Sequence, residues 1–407
     1  MSKVIRRASR AALLGALAGM FVLAPLSAAP QAGQYEQPPS FTASQALPPN
    51  LLKSPYYTVD NRVGLDNYQY VFTVNTRWGT FHIKGTTLLR VRVREMEATA
   101  KLAEIDTAGT VVDAAGRTAL KPLGTAKGLI TAPGKTISDT FKGVGNLFGS
   151  VNAAMEATDP RKEGIIASVS GGAEARRKIA FDLGVDPYTS FQPLDDELTR
   201  LATANAIGGT SVNVGLGFVT GGVGIAISVT STSQKLREAL RDKTAAQLEQ
   251  TGREFLTAMG IAKSAQDAFY ANAYLTPTDK AVIVVVLKTL GNVGGREIYV
   301  ETAAQANSVE MAFYYRRQSE LIAKYNEKVT PVRGFVRAGR APMIDTGRGT
   351  VSLLPVDYLY WSAPLEALAG GGRGEMWITG RASPLATSQL AALGWTVVPK
   401  VSGRLGE

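Results

Sequence analysis

Residues 68–105 read YQYVFTVNTRWGTFHIKGTTLLRVRVREMEATAKLAEI, and a change of period inside them decides the fold class. Tyr70, Phe72 and Val74 alternate with Gln69, Val71 and Thr73, a turn lies around Asn75 to Gly79, and Phe81 and Ile83 follow, which is the pattern of a β-hairpin with one buried face. From Thr86 to Ile105 the period becomes helical, with Arg90, Arg92, Arg94, Glu95, Glu97 and Lys101 on the surface. An amphipathic helix that covers the hairpin is expected.

Downstream the chain is expected to be mainly helical. Pro193 opens one helix, Thr276-Pro277 with Asp279 opens another, and Gly184 and Gly291 close two. The run AVIVVVLKTL, 281–290, is apolar on most sides and belongs at the centre of a core. A longer helix near Thr302 to Lys328 carries Met311, Tyr315, Ile322 and Tyr325 on one stripe, read as core packing. After Val329 come short strands, VRGFVRAG, APMIDT and TVSLLP. The end, with EMWITG, a helix capped by Ser383 and closed at Gly394, and WTVV, reads as strand, helix and parallel strand. The expected fold is therefore α+β, with a hairpin and its covering helix, a mainly helical middle over 56–330, and a small unit over 331–407 ending in the strand-helix-strand.

Working outward to the N-terminus, residues 30–55 hold six prolines among Gln, Ala and Ser and read as an extended linker with neither ladder nor helix. Residues 1–29 have the order of a cleavable signal peptide: Lys3, Arg6, Arg7 and Arg10 without an acid, an apolar run to Leu26, then Ser27, Ala28 and Ala29. Arg6-Arg7 lacks the bulky apolar residue of a twin-arginine signal, so ordinary secretion is expected, with the mature chain in the periplasm or cell envelope. The whole chain contains no cysteine, which removes disulfides, thiolate metal sites and a cysteine nucleophile together. Four of the 44 basic residues lie in the signal and all 34 acids beyond it, leaving 40 against 34 and a net charge of +6 in the mature chain. That mild bias suits an anionic membrane surface and gives no reason to expect nucleic acid.

No catalytic, cofactor or metal signature is present. His82 is the single histidine and falls on the polar face of a strand, without a triad partner. The clusters Asp60-Asn61 with Asp66-Asn67, and Asp195-Asp196-Glu197, lack the ligand spacing of a calcium loop and read as a polar turn and an acidic first helical turn. GLGFVTGGVG and DTGRGT lack the setting of nucleotide loops. A carboxylate pair of the glycosidase type cannot be picked out among 34 acids.

Two stretches have the character of membrane-contacting segments. GKTISDTFKGVGNLFGSVNAAM places Ile137, Phe141, Val144, Phe148, Val151 and Met155 on one helical stripe, within about 131–158, and its internal glycines weaken it in water. Between Arg200 and Lys235 lie 34 uncharged residues. In them Val212, Val214, Leu216 and Phe218, then Val223, Ile225, Ile227 and Val229, alternate with small or polar residues around Gly221-Gly222. A glycine-turned strand hairpin over about 205–230 fits this pattern, and a helical hairpin fits the Gly217 and Gly221 spacing. Either packs in a core or meets lipid.

LGVDPYTSFQPLDDEL, 183–198, the glycine-rich segment after it and ITGRASPLATSQLAALGW, 378–395, resemble segments of exported bacterial proteins of unknown function. The resemblance implies no active residue. The expected function is that of an exported, non-enzymatic protein held peripherally at an envelope membrane. A periplasmic carboxylate-dependent hydrolase acting on cell-wall material, or a soluble scaffold, are the alternatives.

Overall fold

A computed structural model describes residues 35–105, 171–208, 232–338 and 341–406, and Tyr35 to Glu407 cluster as one compact unit. The fold is α+β, with an antiparallel N-terminal sheet and a mixed C-terminal sheet.

The expected hairpin is β5, Gln69–Thr76, paired antiparallel with β6, Gly79–Lys84, and its inward residues Tyr70, Phe72, Val74 and Ile83 are buried. The other edge of β5 takes two strands in succession, β3 (Tyr57–Val59) and β4 (Arg62–Asp66). The helix α2, Thr86–Ala103, starts directly after β6 and lays Leu88, Leu89, Met96 and Leu102 into the same core.

The segment read as an extended linker is corrected from Tyr35 onward. Phe41–Thr42 form β1 against β4, Ala43–Ala46 form the short helix α1, and Lys53–Ser54 form β2 against β3. Composition misleads here because Ala43, Leu47 and Leu51 are buried and Phe41 pairs with Val63, a long-range partner that outweighs the local preference of proline for extended chain. Residues 30–34 and the expected signal peptide, 1–29, lie outside the described residues.

The helices α3 (Gly172–Leu183) and α4 (Gln192–Gly208) extend the first core around α2. Then follow α5 (Thr232–Asp242), α6 (Ala245–Ala258), α7 (Lys263–Ala271), α8 (Pro277–Thr289), α9 (Arg296–Ala303) and α10 (Val309–Lys328). The expected punctuation is found: Thr276 caps α8 in a reciprocal box with Asp279, and Gly184 and Gly291 take positive φ past the ends of α3 and α8. The long helix expected from Thr302 is divided, because Thr302 and Ala303 end α9 and Ser308 caps a new helix, α10. Its stripe Met311, Tyr315, Ile322 and Tyr325 is buried core, as expected.

The C-terminal sheet runs β13-β11-β9-β8-β7, formed by Trp395–Val398, Gly374–Ile378, Thr350–Leu354, Ala341–Asp345 and Gly334–Ala338. β9, β11 and β13 are parallel and α12, Pro384–Ala392, connects the last two. Successive residues go to opposite cores: Leu353 and Trp377 join α8 to α10, whereas Leu354, Met376 and Ile378 join α11 (Ala363–Ala369) and α12. A sheet covered on both faces reads as a continuous apolar run, as in EMWI and VSLL. The boundary expected at residue 331 is thus a change from helices to strands across which one hydrophobic cluster continues.

Candidate functional site

The N-terminal sheet and the C-terminal sheet meet at Tyr68 and Asp357. Tyr68 has φ of 67°, and its carbonyl accepts from the backbone N–H of both Asp357 and Tyr358. The buried Asp357 carboxylate accepts from Tyr70 N at 2.9 Å and from Thr86 N, the first amide of α2, at 3.2 Å. Burial pushes its pKa up, and those two hydrogen bonds partly oppose the shift. Gly380 leans on Asp357 so closely that a Cβ there would lie 1.9 Å from its carbonyl oxygen.

Beside this joint opens a cavity of about 780 Å³, within the range of small-molecule sites. Its walls are the first half of α2, the loop Gly184–Ser190, one face of α10, and the C-terminal residues 379–406 with α1 at the lip. Eight cationic and five acidic side chains line it.

The acids are consumed within the protein. Arg92 donates to Glu95 Oε2 at 2.5 Å, and Thr189 Oγ1 donates to Glu95 Oε1 at 2.5 Å. On α10, Arg316 lies 3.4 Å from Glu320, 3.4 Å from Asp279 and 3.7 Å from Asp186, while Arg317 holds the other Glu320 oxygen at 2.8 Å. Asp186 also accepts from Thr278 Oγ1 at 2.6 Å and Tyr188 N at 2.9 Å. Burial raises its pKa, with Arg316 and the Thr278 hydroxyl pulling the other way. Buried charges of this kind require such partners, since desolvation otherwise outweighs attraction.

The cations near the mouth are engaged less. Arg90 is half-buried and makes no hydrogen bond or ion pair with the described residues. Arg381 is exposed and reaches Tyr70 Oη at 3.1 Å. Lys400 is exposed, with φ of 54°. The arrangement can hold a polar ligand. It offers no carboxylate pair free for acid and base work, because each lining acid already accepts from an arginine or from backbone and hydroxyl donors.

The expected membrane residues Ile137, Phe141, Val144, Phe148, Val151, Met155, Leu216, Phe218, Ile225 and Ile227 all lie outside the described residues. No helix among the described residues is long and apolar enough to cross a membrane. His82 is exposed on β6, 3.2 Å from Thr73 Oγ1. The two acidic clusters are structural: Asp60 accepts from Asn75, Asp66 pairs with Lys84, Asp195 with Arg176 and Glu197 with Arg200. No group of three or more His, Cys, Asp or Glu among the described residues could hold a metal.

The cavity residues were missed because RVRVRE was read as solvated surface. At 100° per residue, Arg90 and Arg94 share a face while Arg92 points nearly opposite, so three alternating arginines cannot all face water on one side. The same signal stands in FYYRRQSELIAK, where Arg316, Arg317, Glu320 and Lys324 sit in a helix buried on most sides. Compared with protein-family models, curated proteins and solved structures, the chain has no match.

Proposed function

We propose that this is an exported, non-enzymatic binding protein that holds a polar small molecule in the cavity between α2, α10 and the C-terminal residues. The observation that carries this reading is the 780 Å³ cavity lined by eight cationic and five acidic side chains, the acids all satisfied internally. A hydrolase would need an acid left free to titrate against the substrate. A plain scaffold would have no reason to keep so many charges around a void, each with a desolvation cost. The test is thermal unfolding of the mature protein with a deproteinised periplasmic extract. Stabilisation is expected, and it is expected to vanish in Val91→Trp, which fills the cavity from α2. No shift, or an equal shift in the variant, would overturn the reading.

A second reading, peripheral attachment to an anionic envelope membrane through about 131–158 and 205–230, is favoured by where the described residues nearest these stretches lie. Arg200 of α4 donates to the carbonyls of Leu102 and Ile105 at the end of α2, and Arg176 of α3 bonds Asp195 and Thr199 of α4. Described residues that flank both stretches are therefore gathered at one end of this helix group, where two weak lipid contacts would add. Co-flotation with anionic vesicles is expected and should be lost in Phe141→Asp with Phe148→Asp. Failure of the wild type to float with anionic or neutral vesicles would end it.

A further inference from the structure

The cavity lining carries more positive than negative charge, and the excess is not spread evenly. Its acids are committed to Arg92, Arg316, Arg317 and to backbone donors, deep in the wall. The cations left over line three different segments around the opening: Arg90 on α2, Arg381 at the start of the short strand Arg381–Ala382, and Lys400 after β13.

Two of the three are placed at some cost. Arg90 is half-buried without a partner among the described residues, and Arg94 stands on the same helical face one turn away, a like-charge spacing that destabilises a helix. Lys400 holds a left-handed backbone conformation that a non-glycine residue rarely adopts, fixed by its N–H donating to the Gly380 carbonyl at 2.9 Å. Strain and uncompensated cations at the mouth of one cavity are what a site keeps when the compensating charge arrives with its ligand.

We propose that the occupant is an organic anion with at least two negative charges, bridging Arg90 on one wall to Arg381 and Lys400 on the other. The proposal rests on the cavity being a binding site at all. A carboxylate or a phosphate meets the same donors, since a guanidinium binds either in a bidentate fork and a lysine binds either as a point charge. A metal cation is disfavoured by the sign of the lining, and a neutral glycan would leave the mouth cations uncompensated.

Isothermal titration and thermal unfolding of the mature protein with citrate, glucose 6-phosphate and maltose test this. At least one of the two anions is expected to bind and to raise the melting temperature, with affinity falling as sodium chloride is raised, and maltose is not. Arg90→Gln and Arg381→Gln are each expected to weaken the anion by about tenfold or more, with the ligand-free melting temperature not lowered in Arg90→Gln. Preference between citrate and glucose 6-phosphate assigns the acidic group. Binding of maltose in place of the anions, or anion affinity unchanged in both variants, overturns the proposal. If the periplasmic extract stabilises the protein while neither anion does, the cavity reading stands and the anion proposal falls. If nothing stabilises it, both fall.

Discussion

Asp357 shows how one buried carboxylate can join two parts of a chain that lie far apart in sequence. Truncating it in Asp357→Ala would leave the Tyr70 and Thr86 amides without an acceptor, at an expected loss of about 3 kcal/mol of stability by denaturant unfolding. Asp357→Asn should cost less than half of that, because its Oδ1 can replace the accepting oxygen while the burial penalty on the charge disappears. Gly380→Ala pushes a methyl group into the Asp357 carbonyl, which cannot swing aside as a side chain would, and is expected to destabilise by about 2 kcal/mol. Lys280 gives the pH signature. It is buried, donates to the Tyr270 carbonyl at 2.8 Å, and desolvation lowers its pKa from 10.5 to about 8. The unfolded chain therefore binds more protons between those values, so stability attributable to Lys280 rises as pH climbs from about 8 to 10.5, by at most about 3 kcal/mol. Unfolding of Lys280→Met compared with wild type across that window should lack this rise.

At the scale of elements, the local signals are the ones the amino-acid order displays openly. The α8 start is written as Thr276, Pro277 and Asp279, and Thr276→Ala is expected to cost about 1 kcal/mol by loss of the cap, measurable by thermal unfolding. The hairpin and α2 are legible because alternation and helical period follow one another without a gap, and the parallel pairing of β11 with β13 is legible because a capped helix separates two apolar strands. What was not legible depends on distant partners. Six prolines suggest an extended linker, yet Phe41 and Thr42 find β4, and Leu47 and Leu51 find the hairpin core. The division of the expected long helix between Ala303 and Val309 rests on the Ser308 hydroxyl oxygen accepting from the Met311 amide N–H, a single cap in an otherwise helical run. The cavity itself was hidden because its charged residues come from α2, the loop after α3, α10 and the C-terminus, segments that no local pattern connects.

At the scale of the molecule, the cavity borders two hydrophobic clusters: the one under the N-terminal sheet, through Tyr70, Leu88 and Val185, and a smaller one among α5, α6, α8 and α10, through Tyr188. A ligand that touches α2, α10 and the C-terminal residues together would tie these clusters and stabilise the whole unit by mass action. Native mass spectrometry of the protein, purified without denaturation, tests this most directly. The expected result is a small-molecule adduct on the wild type, released on activation and absent from Val91→Trp. A bare mass in every wild-type preparation, or an adduct that Val91→Trp retains, would contradict it.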